Sequence, residues 1–167
     1  MANCMYCNAE IPDGSTFCGA CGKKQVKIYT QTFQRKNMSE DQFIDEINQW
    51  FAKYPKVANV KGKFQTHHSI GLLVNKYVLD SFTIEYELFT NPNENQYSIV
   101  KLSATNLVKT STDTLLSKWQ QKNPEAQVLS RTGGVNQRGS TGSLILGGIG
   151  AVNKTQLYLF YKFKKEI

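Results

Sequence analysis

No stretch of this sequence is long and apolar enough to cross a bilayer. The longest apolar run, Leu144 to Val152, is about half of the roughly 20 residues a spanning helix needs, and the first thirty residues hold no secretory leader. The expectation is a cytoplasmic protein without a membrane span. Histidine is nearly absent: His67 and His68 are the only two, and as neighbours on extended chain they point to opposite faces, so they cannot grip one ion together. Cysteine is missing after Cys21, which leaves no thiol nucleophile in the remaining chain. Asp80, Glu85 and Glu87 are the acid-base candidates that remain, but Glu85 and Glu87 fall on the outward side of an alternating strand, where charge is expected without any chemistry. No catalytic constellation assembles, and the chain does not read as an enzyme.

What the sequence does have is concentrated at its start. Cys4-Met5-Tyr6-Cys7 and Cys18-Gly19-Ala20-Cys21 hold every cysteine in two C-x-x-C pairs. Four thiolates so spaced satisfy the tetrahedral demand of one structural Zn²⁺, with sulfur at about 2.3 Å and no ligand position left for a substrate. Cys4, Cys7, Cys18 and Cys21 are therefore the expected metal ligands, and two disulfides or a rubredoxin-like iron are the competing uses of the same residues. The residue after each pair, Asn8 or Gly22, tolerates the left-handed backbone that ends a tight turn. Between the pairs, Ile11 to Ser15 reads as a turn and Ser15-Thr16-Phe17 as an extended arm, a small hairpin with one knuckle at each end.

Residues 1 to 24 resemble the short zinc ribbon found at the N-termini of bacterial proteins, in the pattern C-x-x-C-x-x-x-I-x-x-x-x-x-F-C-x-x-C-G. The departures are Asn8 where glycine is usual and the lack of a proline inside each knuckle. The resemblance implies one structural zinc and says nothing of the biological role.

The chain of 167 residues has room for this module and one further domain, 26 to 167, of ordinary soluble composition, with 40% hydrophobic and 20% charged residues. Its formal charge of +7 falls when four thiolates and a dication are counted, leaving a mildly basic protein. Lys23, Lys24, Lys27, Arg35 and Lys36 lie beside the ribbon and are the residues a nucleic-acid partner would use. The competing reading is that they offset the anionic centre and keep the chain soluble.

Beyond a short polar linker at 22 to 25, expected to act as a hinge, residues 26 to 34 read as a strand. A helix follows, with Ser39 and Gln42 as a capping box, Met38 and Phe43 as a staple, an apolar face of Phe43, Ile44, Ile47, Trp50, Phe51 and Tyr54, and Pro55 as its stop. Extended chain through Val57, Val60 and Phe64, a segment from Ile70 to Leu79, and an alternating strand with Phe82, Ile84, Tyr86 and Leu88 on one side come next; Asn91 to Asn95 is a turn. The second half has the same order: a strand from Gln96 to Thr105, a helix from Thr112 to Asn123, an extended segment from Ala126 to Thr132 and a last strand from Thr155 to Lys164. Trp50 and Trp119 each precede a proline by five residues, an offset of 69, and the last strands align Tyr86 with Phe160 at an offset of 74. The expected fold is α+β: an internal duplication of a β-α-β-β unit, with halves at about 26 to 91 and 96 to 164, forming one antiparallel sheet with two helices on one face.

The glycines of 133 to 150 lack the Gly-Lys-Ser/Thr ending of a phosphate loop and read as a hairpin loop. Tyr97, Trp119, Tyr158, Phe160 and Tyr161 would form a stacking platform only if exposed, and read as core. The sequence thus points to a zinc-binding protein that acts by binding a protein partner, with nucleic acid as the alternative partner and an unassembled enzyme site as the second alternative.

Overall fold

The computed structural model describes residues 1–69, 76–88, 94–106, 110–137 and 153–164. In chain order the elements are β1 (Ala2–Asn3), β2 (Glu10–Ile11), β3 (Tyr29–Gln34), α1 (Glu40–Lys53), β4 (Val57–Ser69), β5 (Lys76–Leu88), β6 (Asn95–Asn106), α2 (Thr112–Lys122), β7 (Gln127–Gln137) and β8 (Asn153–Lys164). The run Leu144 to Val152, the glycines from Gly139 to Gly150, and most of the Asn91 to Asn95 turn lie outside the described residues.

The strands form three antiparallel sheets, β1-β2, β3-β5-β4 and β6-β8-β7. This corrects the expectation of one sheet carrying both helices on one face. Each half closes its own three-stranded sheet by placing its last strand between the first two, so the halves meet by packing and not by pairing. The apolar girth of α1 explains why. Trp50 meets Phe33 and Tyr86 of the first sheet edge-on, at 5.4 and 5.6 Å between ring centres, while Phe51 lies tilted against Tyr97 and stacked on Phe160 of the second, at 5.7 and 5.8 Å. A helix that is apolar on two sides is covered on two sides. Phe43, Ile47, Phe82, Ile84, Tyr158 and Phe160 are all fully buried in the resulting common core.

The capping box forms as the sequence indicated: Gln42 N–H donates to the Ser39 hydroxyl and the Gln42 side chain accepts from Ser39 N–H. The sheets touch directly at Gly62 of β4. A side-chain carbon on Gly62 would come within 2.6 Å of Phe82 and 2.7 Å of Phe160, so the absence of one permits the contact between those rings. Gly133 and Gly134, expected in a loop, instead lie in β7, where a side chain on Gly134 would strike the Tyr77 ring at 2.6 Å.

The two halves share element order, strand order and bulge position. Tyr54 donates to the Trp50 carbonyl and Val57 to Tyr54, and 69 residues later Asn123 donates to Trp119 and Ala126 to Asn123. The bulge between Ala58 and Lys61 recurs between Val128 and Ser130, with Lys61 opposite Glu85 and Ser130 opposite Phe160. That register matches Tyr86 with Tyr161 at an offset of 75 and corrects the alignment of Tyr86 with Phe160. Trp119 accordingly meets Tyr161 edge-on at 70°, the angle at which Trp50 meets Tyr86. The faces left over differ. On the second sheet the Tyr158 and Phe160 side is buried against α1; on the first, the matching side presents Lys61, Lys63, Thr83 and Glu85 to solvent around a groove of about 480 Å³.

The helices are unequal for the same reason: α2 is covered on one side only and none of its residues is buried. Truncation of Trp50 to Ala should cost about 3 kcal/mol or more, and of Trp119 about 1 to 2 kcal/mol, as read from urea unfolding midpoints at constant m. Equal losses would contradict the two-sided packing of α1.

Candidate metal centre

The first knuckle is built from its backbone upward. Cys4 N–H donates to the Ala9 carbonyl and Asn8 N–H to the Cys4 carbonyl; in the second knuckle Cys18 donates to Lys23 and Gly22 to Cys18. These are the same two bonds, fourteen residues apart. Asn8 and Gly22 close the turns with φ of 59° and 69°, the left-handed conformation expected at both positions. Each knuckle has its own short extended pair, β1 with β2 around the first and Phe17 with Lys24 around the second. The single hairpin expected between the knuckles is thus two, because each turn needs strands on both sides to hold its cysteines in place.

The turns bring Cys4, Cys7, Cys18 and Cys21 together, with all four sulfurs within 4.8 Å of one another. Cys4 and Cys21 are 3.6 Å apart and Cys7 and Cys18 3.7 Å, far longer than the 2.05 Å of a disulfide. A tetrahedral ion with bonds of about 2.3 Å needs sulfurs separated by about 3.8 Å. The donor set and its spacing therefore fit a metal ion. The N–H groups of Tyr6 and Cys7 point at Cys4 Sγ at 3.4 and 3.5 Å. Burial works to raise the Cys4 thiol, but these amides and the neighbouring thiols bring it down to about 6. For Cys7, the Ala9 amide works to lower the thiol and is outweighed by Cys4 and by burial, which push it up to about 12. A dication would displace the protons that remain.

The basic residues beside this centre are partly engaged. Lys23 lies 4.8 Å over the Tyr6 ring, Lys27 5.1 Å over Tyr29, and Lys24 reaches Glu87 at 3.4 Å. Arg35 faces inward: its Nε donates to the Leu79 carbonyl at 2.9 Å and its Nη1 to Met38 at 3.1 Å, with Asp80 at 3.7 Å. Of the five, Lys36 is the exposed cation for which no such contact is described among the described residues. His67 and His68 diverge as expected, His67 Nδ1 to Asp80 at 2.6 Å and His68 Nε2 to Asn136 at 2.6 Å.

Sequence reasoning missed a polar network behind α1. Glu40 accepts from Leu79 N–H at 2.7 Å, from Lys101 at 2.5 Å and from the Tyr158 hydroxyl, with its side chain 12% exposed. Gln156 binds both the N–H and the carbonyl of Tyr77 at 2.9 Å. Its members are spread from residue 40 to residue 158, so no local spacing reveals them. The sequence puts Glu40 with Asp41, Asp45 and Glu46 on a solvated acidic face of α1; the structure corrects this for Glu40, whose carboxylate turns in to Leu79 N–H, Lys101 and Tyr158.

No protein-family model matches this chain, and neither a curated protein nor a solved structure does. Among the described residues no helix is long and apolar enough to cross a membrane.

Burial would raise the Glu40 carboxyl, but Lys101, Tyr158 and Leu79 N–H together hold it below its ordinary value. The unfolded chain thus binds this proton more tightly. The stabilisation is complete above the unfolded carboxylate pKa of about 4.3 and is lost as pH falls through the lower native value. Glu40→Gln should cost about 2 to 3 kcal/mol at pH 7 and flatten the acid limb of stability measured by urea titration below pH 5.

Proposed function

We propose that this chain is a zinc-binding protein that acts by holding a protein partner, not by catalysis. The observation that carries the reading is the completeness of the sulfur cluster: four thiolates fill a tetrahedral shell, which suits a structural zinc and leaves no place for substrate. The paired knuckles, with their matching backbone bonds, support reading residues 1 to 24 as a zinc ribbon. The shared strand order and bulge support descent of the two halves from one duplicated β-α-β-β unit. The groove on the first sheet lends no support to an enzyme, because its serine, Ser81, donates to Gln65 and not to a base. The nucleic-acid alternative is weakened at Arg35, whose guanidinium is tied to the Leu79 and Met38 carbonyls.

The purified protein should carry one zinc per chain by metal analysis, and Cys4→Ser or Cys21→Ser should release it while the α+β part keeps its melting transition. Cross-linking in the source cell followed by mass spectrometry should then recover a protein joined to the α+β surface. Retention on mixed-sequence DNA that weakens steeply with salt, with no protein cross-link, would overturn the protein partner in favour of nucleic acid.

A further inference from the structure

Two three-stranded sheets have four outer edges, and three of them are obstructed. On β6, the Asn48 side chain of α1 takes both the N–H and the carbonyl of Ile99, at 2.8 and 3.0 Å, standing where another strand would. β4 bulges between Ala58 and Lys61, shifts register again where β5 carries the extra residue Asp80, and bears Lys61 and Lys63. β7 is bulged, carries Arg131 and joins β4 through the bond from His68 to Asn136. These are the devices by which sheets avoid unwanted pairing. The fourth edge, β3, has none among the described residues. Its six residues, Tyr-Thr-Gln-Thr-Phe-Gln, include no charge, proline or glycine, and its register with β5 runs without a bulge.

The direction of its backbone groups follows from one bond. Arg35 N–H donates to the carbonyl of Asp80 at 2.8 Å, one position beyond the last registered pair, Gln34 and Ser81, and in line with that register, so by antiparallel alternation Thr30, Thr32 and Gln34 turn their N–H and carbonyl groups away from β5. Among the described residues only the Gln31 side chain meets this edge, at 3.4 Å from the Thr32 carbonyl. Lys27 precedes the strand and Lys36 follows it.

We infer that β3 is a docking edge for an extended, acid-flanked peptide segment of a protein partner, added antiparallel as a fourth strand of the first sheet. The inference rests on the protein-binding reading above and gives it a location. Main-chain bonds to Thr30, Thr32 and Gln34 provide the pairing, and Lys27 and Lys36 select acidic residues at the two ends of the incoming strand. Those lysines also select against a second copy of this chain, since antiparallel pairing of β3 with itself would set Lys27 of each copy near Lys36 of the other. The side of the incoming strand that faces α1 lies beside Phe33 and the half-buried Trp50 and suits apolar side chains; the other side lies beside Thr30 and Thr32 and suits polar ones.

The test uses the zinc-loaded full chain and ten-residue peptides of alternating valine and threonine, ended by glutamates or by lysines. The glutamate-ended peptide should bind and slow amide exchange at Thr30, Thr32 and Gln34. Thr32→Pro removes an outward backbone donor and no backbone bond to β5, losing on that side only the exposed hydroxyl contact with Thr83 at 3.1 Å, and should weaken binding at least tenfold while leaving the melting transition nearly in place. Should that variant unfold, the double charge reversal Lys27→Glu with Lys36→Glu serves instead: it should weaken the glutamate-ended peptide about tenfold and admit the lysine-ended one. Protection on another strand or on the cysteine module, equal binding of both peptides, or no binding by either would overturn the docking edge. A concentration-dependent dimer with β3 protected would replace the peptide with a second copy. A protein cross-linked in the cell through another surface would leave the protein-binding reading standing without this edge.

Discussion

The α+β part depends on the burial of α1 between two sheets. Its apolar residues cover more of its circumference than one sheet can satisfy, and both sheets lose exposed area by closing on it. Removing the helix from the gap would expose Phe82 and Ile84 on one side and Tyr97, Ile99 and Phe160 on the other. The helix N-terminus is also where charge enters the core. Glu40, the first helical residue, occupies the positive end of the helix dipole and ties β5, β6 and β8 to it through Leu79, Lys101 and Tyr158. One carboxylate thus fixes the relative placement of elements from both halves.

Two side-chain amides act as short strand substitutes in this interface. Asn48 satisfies Ile99 on the edge of β6, and Gln156 satisfies Tyr77 near the start of β5. Each supplies one donor and one acceptor at the spacing of a peptide group, so a backbone unit that no neighbouring strand reaches is still paired. The same logic makes β3 conspicuous, since among the described residues no side-chain amide supplies both a donor and an acceptor there, and Gln31 reaches only the Thr32 carbonyl at 3.4 Å.

The halves share a plan and differ in what each face must meet. At the positions matched by the strand register, Thr83 and Glu85 of the first half correspond to Tyr158 and Phe160 of the second. The first pair faces water and the second faces α1. Composition at these sites follows burial, as expected of end units in a stacked arrangement. The cysteine module stands apart from this economy: too small for a core of its own, it is organised by four sulfurs and by the backbone bonds beneath them.

The local elements were legible because their causes are local. The Ser39 capping box, the Pro55 and Pro124 stops, the alternation at Phe82, Ile84 and Tyr86, and the two C-x-x-C turns each lie within a few residues and fix α1, α2, β5 and the sulfur cluster. The cluster could be read in full, since spacing alone puts four thiols within one tetrahedron. The number of sheets could not be read. Whether β5 and β6 pair or pack is decided by what fills the space between them, and an amphipathic pattern states how wide the apolar face of α1 is, not how many partners cover it. Gly133 and Gly134 looked like loop for a related reason: only the approach of Tyr77 shows why a strand there lacks side chains. Glu40, Lys101 and Tyr158, and equally Asn48 and Ile99, are joined across 51 to 118 residues of chain, and the inward turn of Arg35 depends on a carbonyl 44 residues away. Sequence by itself determined the elements and the four-cysteine cluster, whose forces act over one or two turns; the tertiary structure alone decided the polar network, the two-sheet packing and the one edge left unobstructed among the described residues, because those depend on which distant surfaces meet.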